Sequence, residues 1–168
     1  MSYETLDRSL HDLRVLVVDD NAALRGLLRV SLQAFGCMNV VEASSVDNAL
    51  EVLNSETVNL LITDWKMTPK DGIELVRTIR TPATSPAPYL PIIMLTGYSD
   101  ASRANLAKDA GVNEFLIKPF TAEALANCIR NVFHESREFI SSENFFGPDR
   151  RSEHRSDNTE YNKIATSR

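Results

Sequence analysis

The chain has 168 residues, 43% hydrophobic and 24% charged, the balance of a soluble globular protein with one domain core and some chain to spare. Its formal net charge of −5 gives phosphate backbones no bulk attraction, which argues against a nucleic-acid binder. The polar start MSYETLDRSLHDLR lacks the apolar stretch of a signal peptide, and no apolar run approaches membrane-span length, so a cytoplasmic protein away from the membrane is expected. Cys37 and Cys128 are far apart and without a CxxC or Cys/His metal spacing, so they read as free thiols of a reducing compartment.

Residues 1–12 read as an N-terminal extension. The first apolar run, Leu13–Val18, is strand-length and β-branched, and it ends in Asp19-Asp20. Ala22–Phe35 then places Leu24, Leu27, Leu28, Leu32 and Phe35 on one helical face, with Asp20 or Asn21 as its cap and Gly36 as its stop. Asn39–Ala43 is a second strand. Val46–Leu53 is a second helix, capped by Ser44 or Ser45. Val58–Thr63 is a third strand, running into Asp64. Asp71-Gly72 opens a third helix marked by Ile73, Val76 and Ile79.

The stretch Thr81–Pro91 holds four of the seven prolines and reads as a stiff surface insertion. Pro91–Leu95 is a fourth strand, ending at Thr96. Ala101, Ala104, Leu106 and Ala107 mark a weaker fourth helix, closed by Gly111. Glu114–Ile117 is a fifth strand, followed by Lys118-Pro119. Leu125, Ile129, Val132 and Phe133 mark a fifth helix. The domain is expected over 13–135. Beyond it, 136–168 is polar and reads as a disordered tail, with an aromatic-Gly-Pro-basic cluster at 145–151 as a docking motif or simply part of that extension.

Strand and helix alternate five times, and strands one, three and four are largely apolar. That alternation, with the long apolar runs Val15–Val18, Leu60–Ile62 and Pro91–Leu95 within those strands, predicts a parallel sheet covered on both faces, a doubly wound α/β sandwich. In such folds, reactive groups gather at the carboxyl ends of the strands. Those ends carry Asp19 and Asp20, Asp64, Thr96, and Lys118. Three carboxylates crowded at one edge repel one another unless a positive group sits among them. A hard dication with oxygen ligands, such as Mg²⁺, would relieve the repulsion, and the Lys118 ammonium would help. Carboxylate, metal, cation and hydroxyl together suit the acceptance of a phosphoryl group by a carboxylate nucleophile. Each feature alone has a duller explanation, a cap or a loop residue. Their occurrence in order, each at its own strand end, is the specific signal.

LRVLVVDDN, LLITDWKMTPKDG, IIMLTG and FLIKPF resemble the response-regulator receiver family of two-component systems, over roughly Leu13 to Phe133. The resemblance implies a flavodoxin-like (βα)5 fold with strand order 2-1-3-4-5. It implies Asp64 as phosphoacceptor, with Asp19, Asp20, Asp64 and the Lys66 backbone carbonyl holding Mg²⁺. Thr96 and Lys118 would contact the phosphoryl group, Thr96 and Phe115 would act as switch residues, and Pro119 would follow a cis peptide. It also implies a phosphoprotein of phosphorelay signal transduction that catalyses only its own phosphorylation and dephosphorylation. The donor would be a sensor histidine kinase or a histidine phosphotransfer protein. A downstream protein would be met through the helix four–strand five–helix five face, where homodimerisation is also open.

The sequence departs from the family where Thr68-Pro69 follows Met67, and the proline-rich loop is long. No output domain is visible in 136–168, so a stand-alone regulator is expected. A Mg²⁺-dependent phosphatase or phosphotransferase of haloacid-dehalogenase type is the enzyme alternative. Its usual DxD on the first strand is missing, since Asp64 is followed by Trp65-Lys66. A receiver-like scaffold indifferent to phosphate is a third reading, opposed by the intact Asp19, Asp20, Asp64, Thr96 and Lys118. His11, His134 and His154 are isolated and receive no role. Trp65 is expected near the surface beside the site.

Overall fold

The computed structural model describes residues 10–97, 104–134, 138–142 and 145–149. Five strands form one parallel sheet: β1 (Arg14–Val18), β2 (Asn39–Ala43), β3 (Leu60–Asp64), β4 (Ile92–Gly97) and β5 (Glu114–Lys118), in the order β2-β1-β3-β4-β5. The helices between and after them are α1 (Ala22–Ala34), α2 (Val46–Ser55), α3 (Gly72–Ile79), α4 (Ala104–Ala110) and α5 (Ala122–His134). This is the expected doubly wound sandwich, with boundaries moved by one to three residues.

Period-two alternation divides the central strands between two cores. Leu16, Val18, Leu61, Ile92 and Met94 pack with α2, α3 and α4 on one face. Val15, Val17, Leu60, Ile62, Ile93 and Leu95 pack with α1 and α5 on the other. Both faces are covered, which is why Val15–Val18 of β1, Leu60–Ile62 of β3 and Ile92–Leu95 of β4 are continuous apolar runs. The second core also takes in Leu10, so packing begins inside the stretch read as an N-terminal extension.

The helix starts follow the expected caps. The Asn21 side chain accepts from the amides of Ala23 and Leu24, and Ser45 accepts from Asn48. Asp71 and Glu74 exchange bonds as a capping box. Gly36 and Gly111 carry positive φ, 93° and 96°, after α1 and α4, a conformation that costs a residue without a β-carbon little.

The disordered tail expected from residue 136 needs correcting over 138–142 and 145–149. Phe139–Ser142 (β6) and Phe145–Pro148 (β7) pair antiparallel as a separate small sheet. Tyr89, from the proline-rich loop, meets the rings of Phe139 and Phe146 edge-on at 5.2 and 5.3 Å. The loop is therefore not a passive insertion. It supplies Leu90, which is buried, and the Pro88 carbonyl, which accepts from Arg80. Each β strand of this pair offers only short apolar stretches, too few to announce a strand without the distant partners they pack on. Of the expected docking cluster at 145–151, Arg150 and Arg151 lie outside the described residues, as does everything beyond them.

Candidate functional site: an acidic edge with one lysine

Asp19 follows β1, and Asp64 ends β3. The pairing Val18↔Thr63 sets those two ends side by side. The carboxylates of Asp19, Asp20 and Asp64 each offer an oxygen within 4.8 Å of the others. From β5, Lys118 Nζ donates to Asp64 Oδ1 at 2.7 Å. Asp19 and Asp64 are buried, Asp20 is exposed, and the Lys118 side chain is 30% exposed.

The charges do not balance. Asp19 Oδ1 accepts the Asn21 amide at 2.8 Å, but Asp19 Oδ2 is buried and has no hydrogen-bond partner. Burial pushes the Asp19 carboxyl above the usual carboxylate range. The Asn21 amide opposes that shift, while the charge of Asp64, offset in part by Lys118, adds to it. Buried polar atoms are almost always satisfied, so an orphaned carboxylate oxygen beside two further carboxylates makes a donor set that fits a cation. Oxygen donors only, and several of them, suit a hard dication such as Mg²⁺.

The remaining expected residues divide. Thr96, on β4, is buried, and its hydroxyl donates to the Gly97 carbonyl at 3.2 Å rather than to a group of the acidic cluster. Phe115 is half-buried against the core beneath α2, α3 and α4. The side chain of Lys66 is exposed. The Lys118–Pro119 peptide is cis, and so is Thr68–Pro69, where the sequence departs from the family. Trp65 corrects an expectation: it is only 6% exposed and belongs to the core with Met67, because its amide continues the ladder to the Leu95 carbonyl.

Two further residues build this edge without having been singled out for it. The Gly72 amide donates to the Trp65 carbonyl at 2.9 Å, and a β-carbon at Gly72 would fall on the Asp64 carbonyl oxygen. Only glycine lets the loop close onto the strand end that carries Asp64. Its signal was the Asp71-Gly72 pair, read only as a helix start. Arg25 Nη1 donates to the Asp19 carbonyl at 2.7 Å while its Nε pairs with Glu42, bracing the β1 end from α1. Nothing in the local pattern of α1 separated Arg25 from an ordinary exposed arginine.

Among the described residues, no helix is long and apolar enough to cross a membrane. The family model of the response regulator receiver domain matches residues 15–130. The chain is 35% identical over 121 residues to the chemotaxis protein CheY of Pseudomonas aeruginosa, covering 72% of this chain and 96% of that one. A CheY homologue of Campylobacter jejuni is 36% identical, with 71% and 92% covered. Among solved structures, CheY4 of Vibrio cholerae superposes with a TM-score of 0.65 at 28% identity, covering 71% of this chain and 98% of that one. The receiver domain of NtrX from Brucella abortus gives 0.66 at 28% identity, with 73% and 99% covered. A five-stranded 2-1-3-4-5 sheet with an acidic cluster at its carboxyl edge, together with these matches, places the chain in the response regulator receiver family, in its chemotaxis-type branch.

Proposed function

We propose that the chain is a phosphorylation-controlled switch in which Asp64 accepts a phosphoryl group from a sensor histidine kinase or a histidine phosphotransfer protein. The observation that carries this reading is the Lys118–Asp64 pair at 2.7 Å inside a cluster of three carboxylates, one with an orphaned oxygen. An oxygen of the Asp64 carboxylate attacks phosphorus, the P–N bond of the phosphohistidine breaks, and the imidazole nitrogen keeps the electron pair and takes a proton. Asp19, Asp20, Asp64 and the Lys66 carbonyl would hold Mg²⁺, which when bound would neutralise charge on the phosphoryl oxygens.

Lys118 holds Asp64 in place before transfer and becomes the cationic partner of the acyl phosphate afterwards. The Thr96 hydroxyl, engaged only with a neutral carbonyl, gains a charged acceptor by turning to a phosphoryl oxygen. Both residues end strands that lead into α4 and α5, so their movement biases the α4–β5–α5 face, with Phe115 filling or leaving space beneath it. Leu106 on α4 and Phe133 on α5 are exposed apolar side chains, 52% and 40%, which suits a protein partner or a second copy there. The net charge of −5 speaks against nucleic acid as the target. A phosphohistidine donor and free thiols at Cys37 and Cys128 support a cytoplasmic location for the switch. Its only catalysis is of its own phosphorylation and dephosphorylation.

The reading is tested by incubating the chain with acetyl phosphate, with and without Mg²⁺, and measuring intact mass. One added phosphoryl group, dependent on Mg²⁺ and absent from Asp64→Asn, is expected. Modification that persists in Asp64→Asn would remove the assignment, and steady turnover of a phosphomonoester would favour the phosphatase alternative.

A further inference from the structure

We propose that the β6–β7 strand pair is a clasp on the base of α4 that is docked when Asp64 is unphosphorylated and loosened when it is phosphorylated, an output element carried by the chain itself. The proposal rests on Asp64 being the phosphoacceptor.

The clasp sits at the end of the sheet opposite the acidic edge. β7 lies against α4, and Gly147 of β7 packs close to Gly111, the residue just after α4. A β-carbon at Gly147 would stand 3.0 Å from Gly111 Cα, and one at Gly111 would stand 3.0 Å from the Phe146 carbonyl oxygen. The Phe145 ring closes the space further, 2.8 Å from where the Gly147 β-carbon would stand, so the two backbones approach closely only because neither residue carries a side chain. The Asp149 amide closes the pair onto the Glu138 carbonyl at 2.7 Å.

Beneath this contact lies Arg80, which is 5% exposed. Its guanidinium donates to the Gly111 carbonyl at 3.0 Å, the Pro88 carbonyl at 2.8 Å and Asn113 Oδ1 at 3.0 Å, and it lies 5.0 Å from the centre of the Phe139 ring. Asn113 Oδ1 also accepts the first amide of β4, that of Ile92, at 2.9 Å. One planar cation therefore joins the end of α3, the proline-rich loop, the α4–β5 turn and the clasp.

This geometry links the two ends of α4. Its upstream end follows β4, which carries Thr96, and its downstream end is the Gly111 turn that leads into β5, which carries Phe115 and Lys118. α4 has seven residues, about 10 Å of helix, so a displacement at one end is felt at the other. Packing with no room for a β-carbon at either glycine leaves little slack to follow such a shift. Movement of α4 or β5 toward the phosphorylated arrangement therefore weakens the clasp. By linkage, weakening the clasp favours that arrangement by the same factor.

The test uses the full chain and beryllofluoride with Mg²⁺ as the phosphoryl mimic, read by amide hydrogen exchange. Exchange in 138–149 should accelerate about fivefold or more on adding beryllofluoride, the lower range of typical allosteric coupling. Gly147→Val should accelerate it without the mimic and should raise beryllofluoride affinity by a similar factor. Phe139→Ser, which removes the ring over Arg80 without adding bulk, should act in the same direction if Gly147→Val fails to fold. Bound mimic with unchanged or slowed exchange in 138–149, or folded variants with unaltered affinity, would overturn the coupling alone. Failure of the mimic to bind would overturn the phosphoacceptor reading and the coupling with it.

Discussion

The two ends of the sheet bury charge in opposite ways. At the carboxyl edge, Asp19 and Asp64 are buried beside Asp20 with one ammonium among three carboxylates, and one buried oxygen has no partner. At the base, Arg80 is buried against three neutral acceptors and an aromatic ring. Burial pushes that guanidinium down to about 9, still cationic at neutral pH. The base is complete as it stands and holds elements together. The acidic edge keeps a buried oxygen without a hydrogen-bond partner among like charges, an arrangement suited to a cation.

The contrast is broken most severely at the residues that close each end. Gly72→Val should cost about 3 kcal/mol or more and abolish phosphorylation, since its side chain would displace the Asp64 backbone; urea unfolding and intact mass measure both effects. Arg80→Ala should cost about 2–4 kcal/mol by leaving the Gly111 and Pro88 carbonyls without their donor, yet should leave Mg²⁺ binding within a few-fold of the parent. Lysine should not restore it, because a point charge cannot serve three acceptors fanned around a planar fork.

The acidic edge should behave in the reverse sense. Asp19→Asn should stabilise the metal-free protein at neutral pH by roughly 1–3 kcal/mol while weakening Mg²⁺ binding. The sign follows from linkage. The raised Asp19 pKa means that the folded state holds its proton more tightly than the unfolded one. Ionising Asp19 thus costs stability as pH rises above the ordinary carboxylate range, and the advantage of asparagine should grow from acid toward neutral pH. Unfolding midpoints across pH without Mg²⁺ check it, and a destabilised Asp19→Asn would contradict the picture of an overcrowded edge. The smallest effect is expected at a cap that belongs to neither charge cluster. Ser45→Ala should cost about 1 kcal/mol with phosphorylation unchanged.

The same contrast explains what could be read from the sequence. β1, β3 and β4 are local signals, continuous apolar runs that only a two-sided sheet requires, and Asp19, Asp64, Thr96 and Lys118 stand directly after or at the end of such runs. Fold and acidic edge were legible for that reason. The base was not. Arg80 looks like any basic residue after a helix, and its burial depends on Gly111, Asn113 and Pro88, none of them near it in pattern. Phe139 and Phe146 lie in polar surroundings and become strands only against Tyr89 and the Gly111 turn. Gly72 was visible as a helix start, but its role at the Asp64 carbonyl depends on how the loop returns. Trp65 was misplaced because the residue after a strand end usually turns outward, whereas here the ladder continues through it to Leu95.

Reductive mapping of the phosphorylated residue tests the central claim most directly. After reaction with acetyl phosphate and Mg²⁺, borohydride converts an aspartyl phosphate to homoserine, and peptide sequencing by mass spectrometry locates it. Homoserine at position 64 alone is the predicted result. Homoserine at Asp19 or Asp20, or none anywhere in a chain shown to be folded and Mg²⁺-bound, would contradict it.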